Sequence, residues 1–486
     1  HQNKWDNFTI KGDLHSKKID LGQALNNTNF GNTAFDVELS IDRINDNIDG
    51  YVDGNILEFG FKNYNYQNLT LTGNFNKNSF DGHAYLSDEN LKFKFDGLID
   101  FSHNPNIYQF EVKVDDFCPN KLNLTQKYED LKIKFNITSD LIGNNIDSIE
   151  GSLRIDSIIL NKKGQENLLK SIELLAVNNP FIKEKFILLK SDLISGILSG
   201  NYTLSYLRND FSNLLHEYLP IFFKERENKE HINNFIFDIN IKNLDNLSQI
   251  LEMPLNVVNN CKIVGSYDYS KNKFNITSTI PKIEFKKQLV KNFNVVLHNT
   301  NEDLRFSTYF EYGKKSPVQF DIQSVVESDS LQLNIQLKDH TSSMHIGDIQ
   351  LSTNFSKDEE DQLITKISLL PSNFWFKEQK WDIKESNIIC KKKSFTFENF
   401  RLQNHECFLN IDGIVSDKED ERVTISANKI DLNEIFSILN VKNFSLGGIL
   451  NGNIYGETLL KNPHINASLD IDEFKLNDRS EERRVG

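Results

Sequence analysis

Apolar and polar residues alternate along much of this chain. In LKIKFNIT, Leu131, Ile133, Phe135 and Ile137 alternate with Lys132, Lys134, Asn136 and Thr138. Successive side chains of a strand point to opposite faces, so this pattern predicts a half-buried β-strand. LQLNIQLK repeats it with Leu331, Leu333, Ile335 and Leu337 on one face. Shorter runs do the same with Leu91, Phe93 and Phe95, and with Phe235, Phe237 and Ile239. Asp-Gly pairs at 49–50, 53–54, 81–82, 96–97 and 412–413 are expected to be tight hairpin turns, because glycine accepts positive φ. Strands are expected about every 8–12 residues, on the order of 35 in all.

Helix signals are few. NDFSNLLHEYLPIFF (209–223) carries Phe211, Leu214, Leu215, Tyr218 and Leu219 at helical spacing, with Asn209 or Asp210 as cap and Pro220 limiting the last turn. KERENKEH (224–231) follows as a polar linker. The expected organisation is therefore a β segment over 1–207, an amphipathic helix and linker over 208–233, and a second β segment over 234–478. Three short stretches, DLGQAL (20–25), NLSQIL (246–251) and DLNEIF (431–436), each place Asp or Asn before an apolar i, i+3, i+4 set. They read as single capped helical turns between strands.

A twisted sheet seldom exceeds about ten strands without curling or splitting. The chain can form several sandwiches, or one long antiparallel sheet curled into a groove with its apolar faces inside. Only one evident linker interrupts the alternation, which favours the groove. At ~4.8 Å per strand, 35 strands would extend roughly 170 Å before twist.

Composition narrows the function. The 486 residues carry a formal charge of -14, which argues against a nucleic-acid partner and against electrostatic docking on an anionic membrane. Phe is abundant at 36 residues, so any lipid contact would be hydrophobic. The four cysteines, Cys118, Cys261, Cys390 and Cys407, form no CxxC, and Cys390 and Cys407 are candidates for neighbouring strands. NDNIDG (45–50) begins like a calcium loop, but Ile56 stands where the bidentate Glu is required, so a hairpin turn is expected. In HECF, His405 and Cys407 would share a strand face with Glu406 on the other, which makes no ligand set. GxSxG, P-loop and GxGxxG motifs are absent, so neither enzyme activity, nor a cofactor, nor a metal is expected.

GGILNGNIYGETLLKNPHINASLDIDEFKL (447–476) joins a Gly-rich strand through Thr458, Asn462 and Pro463 to another alternating strand. It resembles the repeat of TamB-type translocation and assembly module proteins, within the AsmA-like superfamily. Residues 49–101 and 169–223 look like the divergent middle regions of that family. The resemblance implies an elongated β-groove, a β-taco, in the periplasm of a Gram-negative bacterium. It implies an inner-membrane anchor and a C-terminal region outside this stretch, the latter meeting a TamA-like, BamA-related outer-membrane partner. It further implies conduction of phospholipid between the two membranes in support of outer-membrane biogenesis, with acyl chains on the lining and head groups at the open side. The lining residues expected on that reading are Leu91, Phe93, Phe95, Leu131, Ile133, Phe135, Ile137, Phe235, Phe237, Ile239, Leu331, Leu333, Ile335 and Leu337. The chain reads as an internal fragment, and RSEERRVG (479–486) as a non-native, adapter-derived tail. The competing expectation is a structural or adhesive surface β-solenoid whose core its own side chains fill; the lack of a fixed repeat length counts against it.

Overall fold

The computed structural model describes residues 7–433 and 446–480, apart from 46, 180, 182–183, 228–231, 254, 259, 286–287, 314–316, 340–344, 377–378 and 477–478. The chain is all-β: among the described residues 31 strands belong to one antiparallel sheet, joined by a few short helices. It divides into two compact units. The first is His1–Leu207, Glu230–Lys271 and Ser278–Gln288; the second is Arg208–Lys229, Asn272–Thr277 and Leu289–Gly486.

The first unit opens with β1 (Asn7–Asp20), β2 (Phe30–Ile44), β3 (Asn47–Phe61), β4 (Tyr64–Asn76) and β5 (Ser79–Ser87). It continues through β6 (Leu91–Asp100), β7 (Ile107–Phe117), β8 (Leu131–Ile142), β9 (Glu150–Lys162) and β10 (Gln165–Asn179). β11 (Glu184–Ser191), β12 (Ile194–Asn201), β13 (Asn234–Ile241), β14 (Leu255–Val258) and β15 (Cys261–Asp268) complete it, and β16 (Lys273–Phe285) is shared between the units. Each strand from β1 to β13 pairs with its sequence neighbours, the simplest antiparallel meander. Register shifts at Lys92/Phe93, Val114/Phe117 and Lys134/Asn136 insert bulges. Bulges increase local twist and bend the strand that carries them, so a ladder holding them coils rather than lying flat.

The second unit carries β17 (Gln288–Asn299), β18 (Leu304–Tyr312), β19 (Val318–Glu327), β20 (Ser330–Asp339) and β21 (His345–Lys357). β21 pairs with both β22 (Leu363–Leu369) and β23 (Ser372–Phe376). β24 (Gln379–Ile383) and β25 (Ser386–Lys391) then both meet β26 (Ser394–Asn404). A meander closes the unit through β27 (Cys407–Ser416), β28 (Arg422–Asp431), β29 (Leu446–Glu457), β30 (His464–Leu476) and the two-residue β31 (Arg479–Ser480). The start of the expected tail thus pairs with Lys475 and Leu476, and 481–486 lie outside the described residues.

The Asp-Gly pairs are not turns. All five lie inside strands: two in β3 and one each in β5, β6 and β27. Glycine serves close approach there instead. At Gly97, φ is +133°, and a Cβ would stand 2.3 Å from the Gln109 carbonyl oxygen on the next strand. At Gly50 the ring of Phe75 covers the space a side chain would take. The turns are made by other residues: Lys62-Asn63 and Ser328-Asp329 each place two consecutive non-glycine residues at positive φ, as a two-residue hairpin loop requires. Of the calcium-like stretch 45–50, Asn45 turns the chain at φ 57° between β2 and β3, whereas residues 47–50 lie inside β3 rather than in a turn.

Among the described residues three α-helices punctuate the strands. In α1 (Leu21–Leu25) the Asp20 carboxylate accepts the Gln23 N–H at 3.0 Å and Asn26 closes the turn at φ 49°, so DLGQAL is a capped turn. α3 (Asp245–Ile250) covers most of NLSQIL, but its N-cap is Leu244 with no side-chain cap hydrogen bond, so Asn246 lies inside the helix and does not cap it. Of DLNEIF, Leu432 is buried and residues 434–436 lie outside the described residues. α2 (Leu207–Tyr218) stops two residues before Pro220. In the second unit, its buried Tyr218 hydroxyl donates to the Thr300 carbonyl at 2.8 Å and accepts from Asn299 Nδ2 at 2.9 Å. Phe222 packs edge-on against Phe355 just beyond the helix.

Candidate functional site

Directly opposed residues of an antiparallel pair share a face, so the register assigns every side chain of the meander to one side. One row in the first unit reads Val37, Gly54, Leu71, Ala84, Phe95, Val112, Ile137, Ile155, Ile172 across β2 to β10. The row beside it reads Phe35, Ile56, Leu69, Leu86, Phe93, Val114, Phe135. One residue over, on the opposite face, stand Asp36, Asn55, Thr70, Tyr85, Lys94, Lys113, Asn136, Asp156 and Ser171. The contrast between faces is therefore a property of the whole ladder, not of single strands.

The apolar face continues through Leu153, Leu174, Leu189, Gly196, Ile239 and Ile263. Phe235 and Phe237 lie on it opposite Tyr267 and Gly265. Leu91 faces Phe117, and Leu131 and Ile133 face Lys162 and Leu160. All ten lining residues expected in this unit thus share one face. The other four lie together in the second unit, where Leu331, Leu333, Ile335 and Leu337 oppose Val326, Ser324, Ile322 and Phe320. Their row runs on as Leu331, Thr353, Ile367, Ile388, Phe397, Gly413, Val423. Aromatic contacts lie along both faces so defined: Phe95 meets Phe80 and Phe110 at 6.1 and 5.6 Å, and Phe310 stacks on Phe320 at 4.8 Å.

Burial separates two kinds of position on this face. Leu131 and Phe235 are buried, at 4% and 7% exposure, and the other twelve expected lining residues are only half-buried. A facing sheet would bury such residues on both sides. The face is covered locally by α3: Ile250 packs into a buried cluster with Leu131, Ile158, Leu160 and Leu169, flanked by Leu247, Leu251, Ile133 and Phe135. LKIKFNIT therefore touches a helix of its own chain at its first residues, while Lys132 and Lys134 point to solvent on the other side.

Sequence reasoning did not find the rim beside this cluster. The 118–130 connection lies along one end of the strands, anchored by Cys118 N–H donating to the Asn90 carbonyl at 3.0 Å and by the fully buried Leu122. It walls two cavities. One, of about 670 Å³, is lined by Thr28, Asn29, Lys62, Asn63, Asn120, Asn123, Thr125 and Gln126, with Lys62 its only charge. The second, of about 540 Å³, holds Lys127, Lys162 and Lys163 with Glu129 and Glu252, and opens beside Tyr128, Leu251 and Met253. Lys162 binds Glu252 at 2.7 Å, which holds that carboxyl below its usual value. Nothing in the local pattern marks these residues, because turns from distant parts of the chain bring them together.

Other candidate chemistry stays dispersed. β26 lies between Cys390 and Cys407, so the two are not on neighbouring strands, and all four cysteines are free thiols. Burial raises the pKa of the Cys118 and Cys261 thiols. In HECF, His405 sits in a turn at φ 49° and Glu406 pairs with Lys429. Among the described residues no group of three or more His, Cys, Asp or Glu could hold a metal ion, and no helix is long and apolar enough to cross a membrane. Comparison with known proteins finds no matching family model, no matching curated protein and no matching solved structure.

Proposed function

We propose that the apolar face binds lipid acyl chains, and that the chain is a segment of a TamB-like bridge conducting phospholipid between the inner and outer membranes. The observation that carries this reading is the uninterrupted apolar row from Val37 to Ile172 with its half-buried side chains. Exposed apolar strips of this extent mark binding surfaces in soluble proteins. Each methylene removed from water on such a strip contributes about 0.8 kcal/mol, and a lining without polar anchors leaves successive positions nearly equivalent, so a chain can slide. A periplasmic setting, an inner-membrane anchor and an outer-membrane assembly partner belong to the same proposal, on the strength of the repeat-like stretch 447–476. No group is arranged for catalysis in this reading.

The α3 cluster supports a second reading, a structural β-protein that fills its face with its own side chains. Lipid extraction and native mass spectrometry of the purified protein separate the two. Several phospholipids per chain, lost on Phe93→Asp together with Ile137→Asp, support conduction. A lipid-free, stable and monodisperse protein supports the structural reading.

A further inference from the structure

We propose that the lysine-lined cavity beside α3 is a headgroup site for anionic phospholipid. The inference rests on the acyl-chain reading and adds to it a charge preference and a place. The cavity of about 540 Å³ shares Tyr128 and Leu251 with the rim of the apolar cluster around Leu131. A polar compartment therefore opens directly beside the apolar face, the juxtaposition that an amphiphile requires.

The charges are selective. Lys162 is already neutralised by Glu252 at 2.7 Å. Lys127 and Lys163 line the same cavity and are exposed, Lys163 acts with Lys162 on the Glu252 carboxylate, and Glu129 lines the cavity as well, so the three lysines exceed the two carboxylates by one positive charge. In a chain with 69 acidic against 55 basic residues, a cavity lined by three lysines and two carboxylates departs from the average field. Lys163 is held in place by the turn it makes with Gly164, at φ 52° and 84°. The backbone N–H of Lys127 donates to Thr125 Oγ1 at 3.1 Å. Neighbouring Asn and Gln side chains of the adjoining cavity, which shares Gln126, offer donors and acceptors for a glycerol or sugar alcohol. A phosphodiester at this position would meet two lysines, with its acyl chains leaving past Tyr128 and Leu251 toward the apolar face.

The test uses the full chain and three soluble probes: dihexanoyl phosphatidylglycerol, dihexanoyl phosphatidylcholine and inorganic phosphate, each followed by isothermal titration. The wild type is expected to prefer the anionic lipid. Lys127→Gln with Lys163→Gln is expected to weaken that lipid by roughly tenfold and to leave the zwitterionic one unchanged. An unchanged preference in the double variant overturns the headgroup site while leaving the acyl-chain reading intact. Inorganic phosphate that binds as tightly as the anionic lipid overturns the lipid assignment in favour of a plain phosphate site. Absence of binding by both lipids overturns this inference together with the acyl-chain reading.

Discussion

Leu131 and Ile137 lie six residues apart on the same face of β8, and truncating each to alanine should have different consequences. Leu131 is 4% exposed and sits among Ile158, Leu160, Leu169 and Ile250, with α3 closing the site. Removing its three outer carbons forfeits their transfer free energy and leaves a cavity that these four neighbours cannot fill without moving β9, β10 or α3. About 2–4 kcal/mol is expected. Ile137 is half-buried in the row between Val112 and Ile155. Its loss exposes no sealed cavity, so the transfer term alone applies, about 1 kcal/mol. Urea denaturation followed by circular dichroism measures both. Lipid content should move in the opposite sense: Ile137→Asp loses bound lipid and keeps its fold, because a carboxylate on an open face remains hydrated, whereas Leu131→Asp unfolds its surroundings. Equal destabilisation by the two alanine variants, at or above 2 kcal/mol, would mean that Ile137 is core and that the face is closed. The reasoning would then fail.

Further outcomes follow from particular contacts. Tyr218→Phe removes a buried hydroxyl that bonds both Asn299 and the Thr300 carbonyl, and should cost about 1–3 kcal/mol in urea denaturation of the second unit. Gly97→Val should destabilise by roughly 2 kcal/mol or more, since φ is +133° and Gln109 blocks the new side chain; a neutral result would show that β6 and β7 can separate there. Thiol titration of the native protein should modify Cys390 and Cys407 quickly and the buried Cys118 and Cys261 only after urea is added. The Asp100 carboxyl is held below its ordinary value of 3.8, chiefly by the Ser102 hydroxyl and N–H and also by His103. Its contribution to stability should be complete above that ordinary value and disappear as pH falls through the lowered one. Ser102→Ala should shift its carbon-13 titration upward.

The sequence made the strands legible because alternation with period two depends only on one face being wet. The same local rule put the ten expected lining residues of the first unit on one face and the four of the second unit on one face, since pairing keeps register from strand to strand within each unit. Its failures were also physical. Asp-Gly is a strong hairpin signal in isolation, but Gly54, Gly97 and Gly413 relieve crowding between neighbouring backbones inside strands. The true turns at Lys62-Asn63 and Ser328-Asp329 use residues that tolerate positive φ less readily, so composition did not reveal them. The seating of α3 on Leu131 and the shared cavity of Lys127 and Lys163 bring together segments 36 to about 120 residues apart, which no local pattern encodes. Phe135, which packs beside α3 and edge-on to Phe117, is for that reason a poorer probe of the open face than Phe93 or Ile137.

The central claim is that one face of the ladder, and not the other, meets acyl chains. A photo-cross-linking amino acid placed singly at Phe93, Ile137 and Leu333, and at Lys94, Lys134 and Gln332 on the opposite face, tests it directly in cells labelled with radioactive phosphate. Labelled lipid attached at the first three positions and absent from the second three is the predicted result. Attachment at both sets, or at neither, would contradict the account.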